Sequence, residues 1–159
     1  MADGFVLKCK VLYASFERAL LAMRSPLLLL IRCYWGIQFV QAGSAHFGHM
    51  ANFREFFSTL HVPAPGVMAL LIALLEFVGG LFLILGLLSR LTALLLMLDM
   101  VVAFGLADRD ALSTIFTSDP SKFFDAAPFT FLCATVVIAV FGTGKYSIDY
   151  LLAGRHEVD

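Results

Sequence analysis

Charge is scarce in this chain: 14% of its 159 residues are Asp, Glu, Lys or Arg, against 60% that are hydrophobic. A soluble domain carries about 25% charged residues, so too few are present to coat a water-facing globule. The 11 Lys and Arg are offset by 12 Asp and Glu, which excludes the clustered positive footprint that nucleic-acid binding needs. Cysteine is sparse too. Cys9, Cys33 and Cys133 form no C-x-x-C pair and no metal-ligand spacing, which argues against a thiol-oxidising membrane enzyme. Whether Cys33 and Cys133 approach each other is not decided by spacing, and both read as small buried hydrophobes. No P-loop, dinucleotide fingerprint or nucleophile elbow is present. None of the four histidines lies well inside an apolar run, which excludes haem held by a midplane histidine pair.

Present instead are four apolar stretches, over residues 26–45, 65–88, 91–107 and 126–141. A spanning helix needs about 20 such residues, so the last two are short and call for flanking residues or a thinned bilayer. Backbone polar groups in hydrocarbon must be satisfied within helices, and no barrel-like alternation is seen. The expected fold is an all-α integral membrane four-helix bundle in a single domain covering residues 1–159.

Before the first stretch, Phe5, Cys9, Leu12, Phe16, Leu20 and Met23 recur at helical spacing, which reads as an interfacial helix over 5–24 or as a packing helix. Charged residues interrupt this segment, so a signal peptide is not expected. Two short outer-loop helices are expected as well. One follows Asn52, which with Glu55 spells a capping box, and carries Phe53, Phe56, Phe57 and Leu60 as a lid. The connection over 108–125 packs through Phe116, Phe123 and Phe124. With the N-terminus inside, Lys8, Lys10, Arg18, Arg24, Arg90, Lys145 and Arg155 fall on the cytoplasmic side, and only Arg54, Arg109 and Lys122 fall outside. That bias predicts both termini on the cytoplasmic side.

An ionisable group deep in a bilayer costs at least about 2.5–3.5 kcal/mol, so each marks a candidate site. The candidates are Arg32, Glu76 and Asp99, with Trp35, Gln38 and Gln41. Counting about 1.5 Å per residue from the ends of the apolar runs sets Arg32 level with Asp99 and Gln38 level with Glu76. Arg32, Trp35, Gln38 and Gln41 step by three along one helix and are expected to line a ligand pocket. Three readings fit these groups: polar pairs that only fix helix contacts, a pocket for a small polar or quinone-like headgroup, and a proton relay. The relay is disfavoured because no inverted repeat or broken helix is evident. His46-x-x-His49 is a weak metal motif, and no metal is expected. Gly36, Ala42, Gly43, Gly79, Gly80 and Gly86 mark places where helices come close.

Several segments together resemble the DoxX family of small four-span membrane proteins. The run Glu76-Phe77-Val78-Gly79-Gly80-Leu81-Phe82-Leu83-Ile84-Leu85-Gly86-Leu87-Leu88-Ser89-Arg90 is similar to that family's E-x-x-G-G-x-x-L-x-L-G-L-x-[ST]-R pattern. Gly36 and Gly43 with aromatic neighbours, His61-Val62-Pro63-Ala64-Pro65, and Gly142-Thr143-Gly144-Lys145-Tyr146-Ser147-Ile148-Asp149 support the resemblance. Two positions depart from the pattern. His46 stands where family members often have Lys, and Asp99 adds an acid to a usually apolar span. The resemblance implies an accessory subunit of quinone-linked electron-transfer machinery, partnered by lipid and by other membrane subunits. It implies a bound quinone rather than an intrinsic cofactor, and no catalytic activity by the chain alone. A purely structural subunit and a proton-coupled transporter are the alternatives.

Overall fold

The structure, a computed structural model, describes residues 2–114 and 121–153. Among them it contains helices and no strand: α1 Ala2–Gly48, α2 Met50–Thr59, α3 Pro65–Leu85, α4 Ser89–Leu106, α5 Arg109–Thr114, α6 Ser121–Asp125, α7 Ala127–Phe141 and α8 Ile148–Leu152. Helices α1, α3 and α4 are long and apolar enough to cross a membrane, and the shorter apolar α7 completes the bundle. Phe116, Arg155 and His156 lie outside the described residues, as does the side chain of Cys9.

The expected interfacial helix and first span are one helix. Helix α1 has 47 residues with Pro26 inside it, about 70 Å at 1.5 Å per residue, roughly twice the hydrocarbon thickness. Pro26 removes one donor from the ladder, and the bonds on either side keep the helix continuous. The half before Pro26 exposes Leu12, Phe16, Leu20 and Met23. Helix α7 has 15 residues, about 22 Å, so it is short for a span, as its sequence implied.

The capping box at Asn52 does not form. Helix α2 starts at Met50 behind His49, which gives no side-chain cap. His49 N–H donates to Ala45 O and Phe53 N–H to His49 O, both at 3.1 Å. These bonds carry the helical pattern across the joint, so the start has no use for an Asn side chain.

Glycine sets the contact between α1 and α3. A Cβ on Gly80 would lie 2.6 Å from Gly36 O, one on Gly36 2.8 Å from Gly80 O, and one on Gly43 2.6 Å from Phe77 N. The two backbones therefore touch, and no larger residue fits at these three positions. Helix α4 lies along α7, and Phe39, Leu83, Ala93, Leu96, Met100 and Ile138 fill the core between the pairs. Trp35 and Phe39 both meet the edge of Phe131 on α7. Phe104 stacks on Phe123, which meets Phe129 edge-on, where α4, α6 and α7 come together.

At the opposite end from α2, α3 stops at Gly86 in the left-handed region (φ 69°). Gly86 N–H donates to Leu83 O and Leu87 N–H to Phe82 O, a Schellman ending that only glycine adopts without strain. The first N–H groups of α4 are capped from far along the chain. Leu88 N–H and Ser89 N–H donate to the two carboxylate oxygens of Asp149 at 2.7 and 2.8 Å, and Asp149 N–H donates back to Gly86 O at 2.9 Å. This region is called the turn end below, and the α2 side the lid end.

Replacing Gly80 with Leu forces α1 from α3 and is expected to cost about 1–3 kcal/mol or more. Asp149→Ala, which strips two charge-assisted bonds from the α4 start, is expected to cost about 1–2 kcal/mol. Thermal unfolding in detergent checks both, and a Gly80→Leu protein as stable as the parent contradicts the backbone contact.

Candidate ligand-binding site

The six residues expected to share one pocket do not meet: Arg32 belongs to one polar centre, Glu76 and Asp99 to another, and Trp35, Gln38 and Gln41 to neither. Arg32 belongs to the turn end. It is fully buried, and its Nη2 donates to Tyr146 O at 2.5 Å. A Cβ on Gly86 would run into its guanidinium, so glycine there makes room for the arginine as well as for the turn. Asp149 is the acid that acts on Arg32 electrostatically.

Asp99 is elsewhere, which corrects the expected Arg32–Asp99 pair. Asp99 stands ten residues into α4 from Ser89, about 15 Å from the turn end at which Arg32 sits. The error came from taking Pro26 as the start of the buried part of α1, which in fact runs on past the bundle.

Glu76 also lacks its expected partner. Its Oε2 lies 3.2 Å from His46 Nε2, and among the described residues no hydrogen bond joins Glu76 to Gln38. Helices α1 and α3 are antiparallel, and helical side chains lean toward their own N-terminus. Glu76 therefore leans toward the lid end, and His46, set above it, leans down to meet it. Gln38 leans the other way. Gln38 ends half-buried and Gln41 exposed, while Trp35 packs on Phe131.

The lid-end centre is thus His46, Glu76 and Asp99, from three helices. Glu76 and Asp99 are 6% and 7% exposed, and both act on each other and on His46 electrostatically. Asp99 Oδ2 has no hydrogen-bond donor among the described residues, and Glu76 Oε2 has only the close approach of the imidazole, without hydrogen-bond geometry. Over the imidazole lies Phe53 of α2, stacked at 3.8 Å between centroids with the planes 9° apart. Phe53 in turn meets Phe57 edge-on. Below these rings is a cavity of about 190 Å³. Its walls include Phe56, Ile72, Met100 and Val102, and its polar lining is His46, Glu76 and Asp99. Phe56 and Val102 are also exposed on the outer surface, so the cavity opens sideways between α2 and α4.

His49 points back to Ala45 O and does not join His46. Among the described residues no group of three His, Cys, Asp or Glu has the arrangement of a metal site. Cys33 and Cys133 are free thiols, and neither is the buried hydrophobe expected: Cys33 is half-buried and Cys133 exposed. His46 was visible in the sequence as half of a weak metal motif and as a departure from the family pattern; the signal for its role is that it faces α3 fourteen residues after Arg32, four turns along the same helix.

Residues 27–109 match the DoxX family. The chain is 30% identical over 125 residues to a protein of Escherichia coli (strain K12) named inner membrane protein YqjF, a match covering 79% of this chain and 91% of that protein. No solved structure matches the chain.

His46 and Glu76 are expected to be coupled. Each single Ala variant leaves a half-buried or buried polar partner alone, so the double variant is expected to lose about 1 kcal/mol less than the sum of the singles. Additive losses in a double-mutant cycle read by unfolding in detergent contradict the pairing.

Proposed function

The chain belongs to the DoxX family, and from that premise we propose that it is an accessory membrane subunit that holds a quinone-like headgroup under the α2 lid for a partner oxidoreductase. The observation that carries the reading is the cavity of about 190 Å³ with two underused carboxylates on its floor. An apolar cavity of about 150 Å³ accepts benzene, so this one suits a single six-membered ring with small substituents. The aromatic lid supplies faces for such a ring. The sideways opening past Phe56 and Val102 suits a lipid-soluble tail.

The residues fit the group. A bound quinone supplies two-electron chemistry coupled to two protons. This chain's part is to seat the ring, keep water out with Phe53, Phe56 and Phe57, and accept hydrogen bonds and protons at Glu76 and Asp99 from the hydroxyls of the reduced ring. Arg32, Trp35, Gln38 and Gln41 take no part in this version of the site. The electrons need a donor or acceptor on a partner, since the chain's cysteines and histidines offer no redox centre of their own.

Orientation is part of the proposal. Arg18, Arg24, Arg90 and Lys145 gather toward the turn end and Arg54 and Arg109 toward the lid end, which favours a cytoplasmic turn end with both termini inside the plasma membrane of a prokaryote. A reporter fused after the C-terminus is expected to be active only in its cytoplasmic form; activity of a periplasm-dependent reporter there reverses the orientation.

Titrating the purified chain with a short-tailed quinol, kept reduced, tests the site. Glu76→Gln with Asp99→Asn is expected to weaken binding by about tenfold or more, the scale of losing a hydrogen bond to a charged group, whereas Gln41→Ala leaves it unchanged. Absence of binding by the unaltered protein, or equal affinity in the doubly substituted one, overturns the reading.

A further inference from the structure

A second pocket lies far from the lid cavity, where α1 leaves the bundle. We propose that it binds the phosphate headgroup of an anionic membrane lipid. The cleft has a volume of about 440 Å³ and is lined by Arg18, Leu21, Ala22, Arg24 and Ser25 of α1 and by Gly144 and Lys145 of the connection after α7. Three of these side chains are cationic, and among the described residues that line it none is acidic.

The cleft is built, and not merely a basic stretch of surface. Gly144 adopts φ +69°, and a Cβ there would lie 3.0 Å from Ser25 Cα, so glycine lets the connection close onto α1. Lys145 N–H then donates to Ser25 Oγ at 3.2 Å, which leaves the serine hydroxyl proton to donate into the cleft. Arg24 Nη2 donates to Phe141 O at 3.1 Å, holding the guanidinium between α1 and the end of α7 with its other N–H groups available. Arg18 Nε bonds only its own helix, at Ala14 O. Convergent N–H and O–H donors of this kind match phosphate oxygens.

A lipid is the source that the surroundings favour over free phosphate. Leu21 forms part of the lining itself, and Val140 and Phe141 at the end of α7 are exposed beside Arg24. A headgroup among the cations thus has apolar surface next to it for its chains. Lys and Arg side chains near an anionic membrane surface are attracted to it, which brings the cluster and a lipid headgroup together.

The test uses the purified full chain and three probes: phosphatidylglycerol, phosphatidylcholine with the same acyl chains, and inorganic phosphate, read by native mass spectrometry. Phosphatidylglycerol is expected to be retained about tenfold more than phosphatidylcholine, with retention falling as salt rises. Arg18→Gln with Lys145→Gln, whose altered side chains bond no other helix among the described residues, is expected to lower that retention by about tenfold. Arg54→Gln at the lid end keeps it, as does Glu76→Gln. Equal retention of the two lipids, no loss in the doubly substituted chain, or an equal loss in Arg54→Gln overturns the proposal. Inorganic phosphate bound as well as phosphatidylglycerol overturns the lipid and leaves a site for a soluble anion.

Discussion

The closeness of α1 to α3 governs the molecule. Gly36 and Gly80 meet backbone to backbone, and Gly43 repeats the contact two turns on against Ala73 and Phe77. In lipid, helices gain little from hiding apolar area from one another, so close packing of small residues decides which faces meet. Once these glycines are seated, the antiparallel register is fixed at both ends. Arg32 arrives at Gly86, where the missing side chain makes space for it, and His46 arrives over Glu76. The two polar centres are consequences of one seam.

They differ in what the protein gives each of them. At the turn end, a carbonyl, a distant carboxylate and two capped N–H groups bind α1, α3, α4 and the segment around α8 into one knot. A buried ion is worth little to stability unless its hydrogen bonds are met, and here the capping of α4 by Asp149 uses the same carboxylate that opposes Arg32. Neither centre is fully served: Arg32 Nε and Nη1 at the turn end and Asp99 Oδ2 at the lid end have no hydrogen-bond partner among the described residues. Groups left so in hydrocarbon are expensive, and at the lid end that cost falls beside a ring-sized cavity.

Composition made the all-helical bundle legible, and the run of residues from Glu76 to Arg90 made the family legible. The third and fourth apolar runs coincide closely with α4 and α7, whose ends fall at the α3–α4 turn and at Gly142. The joint at Pro26 was not legible, because proline tells where one bond is lost and not whether the rest of the ladder persists. That single point displaced Arg32 in depth and produced the wrong pairing with Asp99. The pairing of Glu76 with Gln38 failed for a different reason. Depth along the bilayer was nearly right, but side chains on antiparallel helices lean in opposite directions, which depth alone does not contain. The cap at Asn52 failed because α1 supplies carbonyls right up to His49.

His46 is also where the lid and the acids are mechanically joined. Its ring has Phe53 of α2 on one face and Glu76 of α3 at its edge, so α2 cannot lift away without exposing the imidazole, and the imidazole cannot turn without disturbing either the stack or the carboxylate. The stack and the carboxylate contact hold one imidazole from two helices, which ties the position of the lid to the floor of the cavity. A flat ring at this position both reaches the carboxylate and lies parallel to Phe53, which an aliphatic side chain could not do.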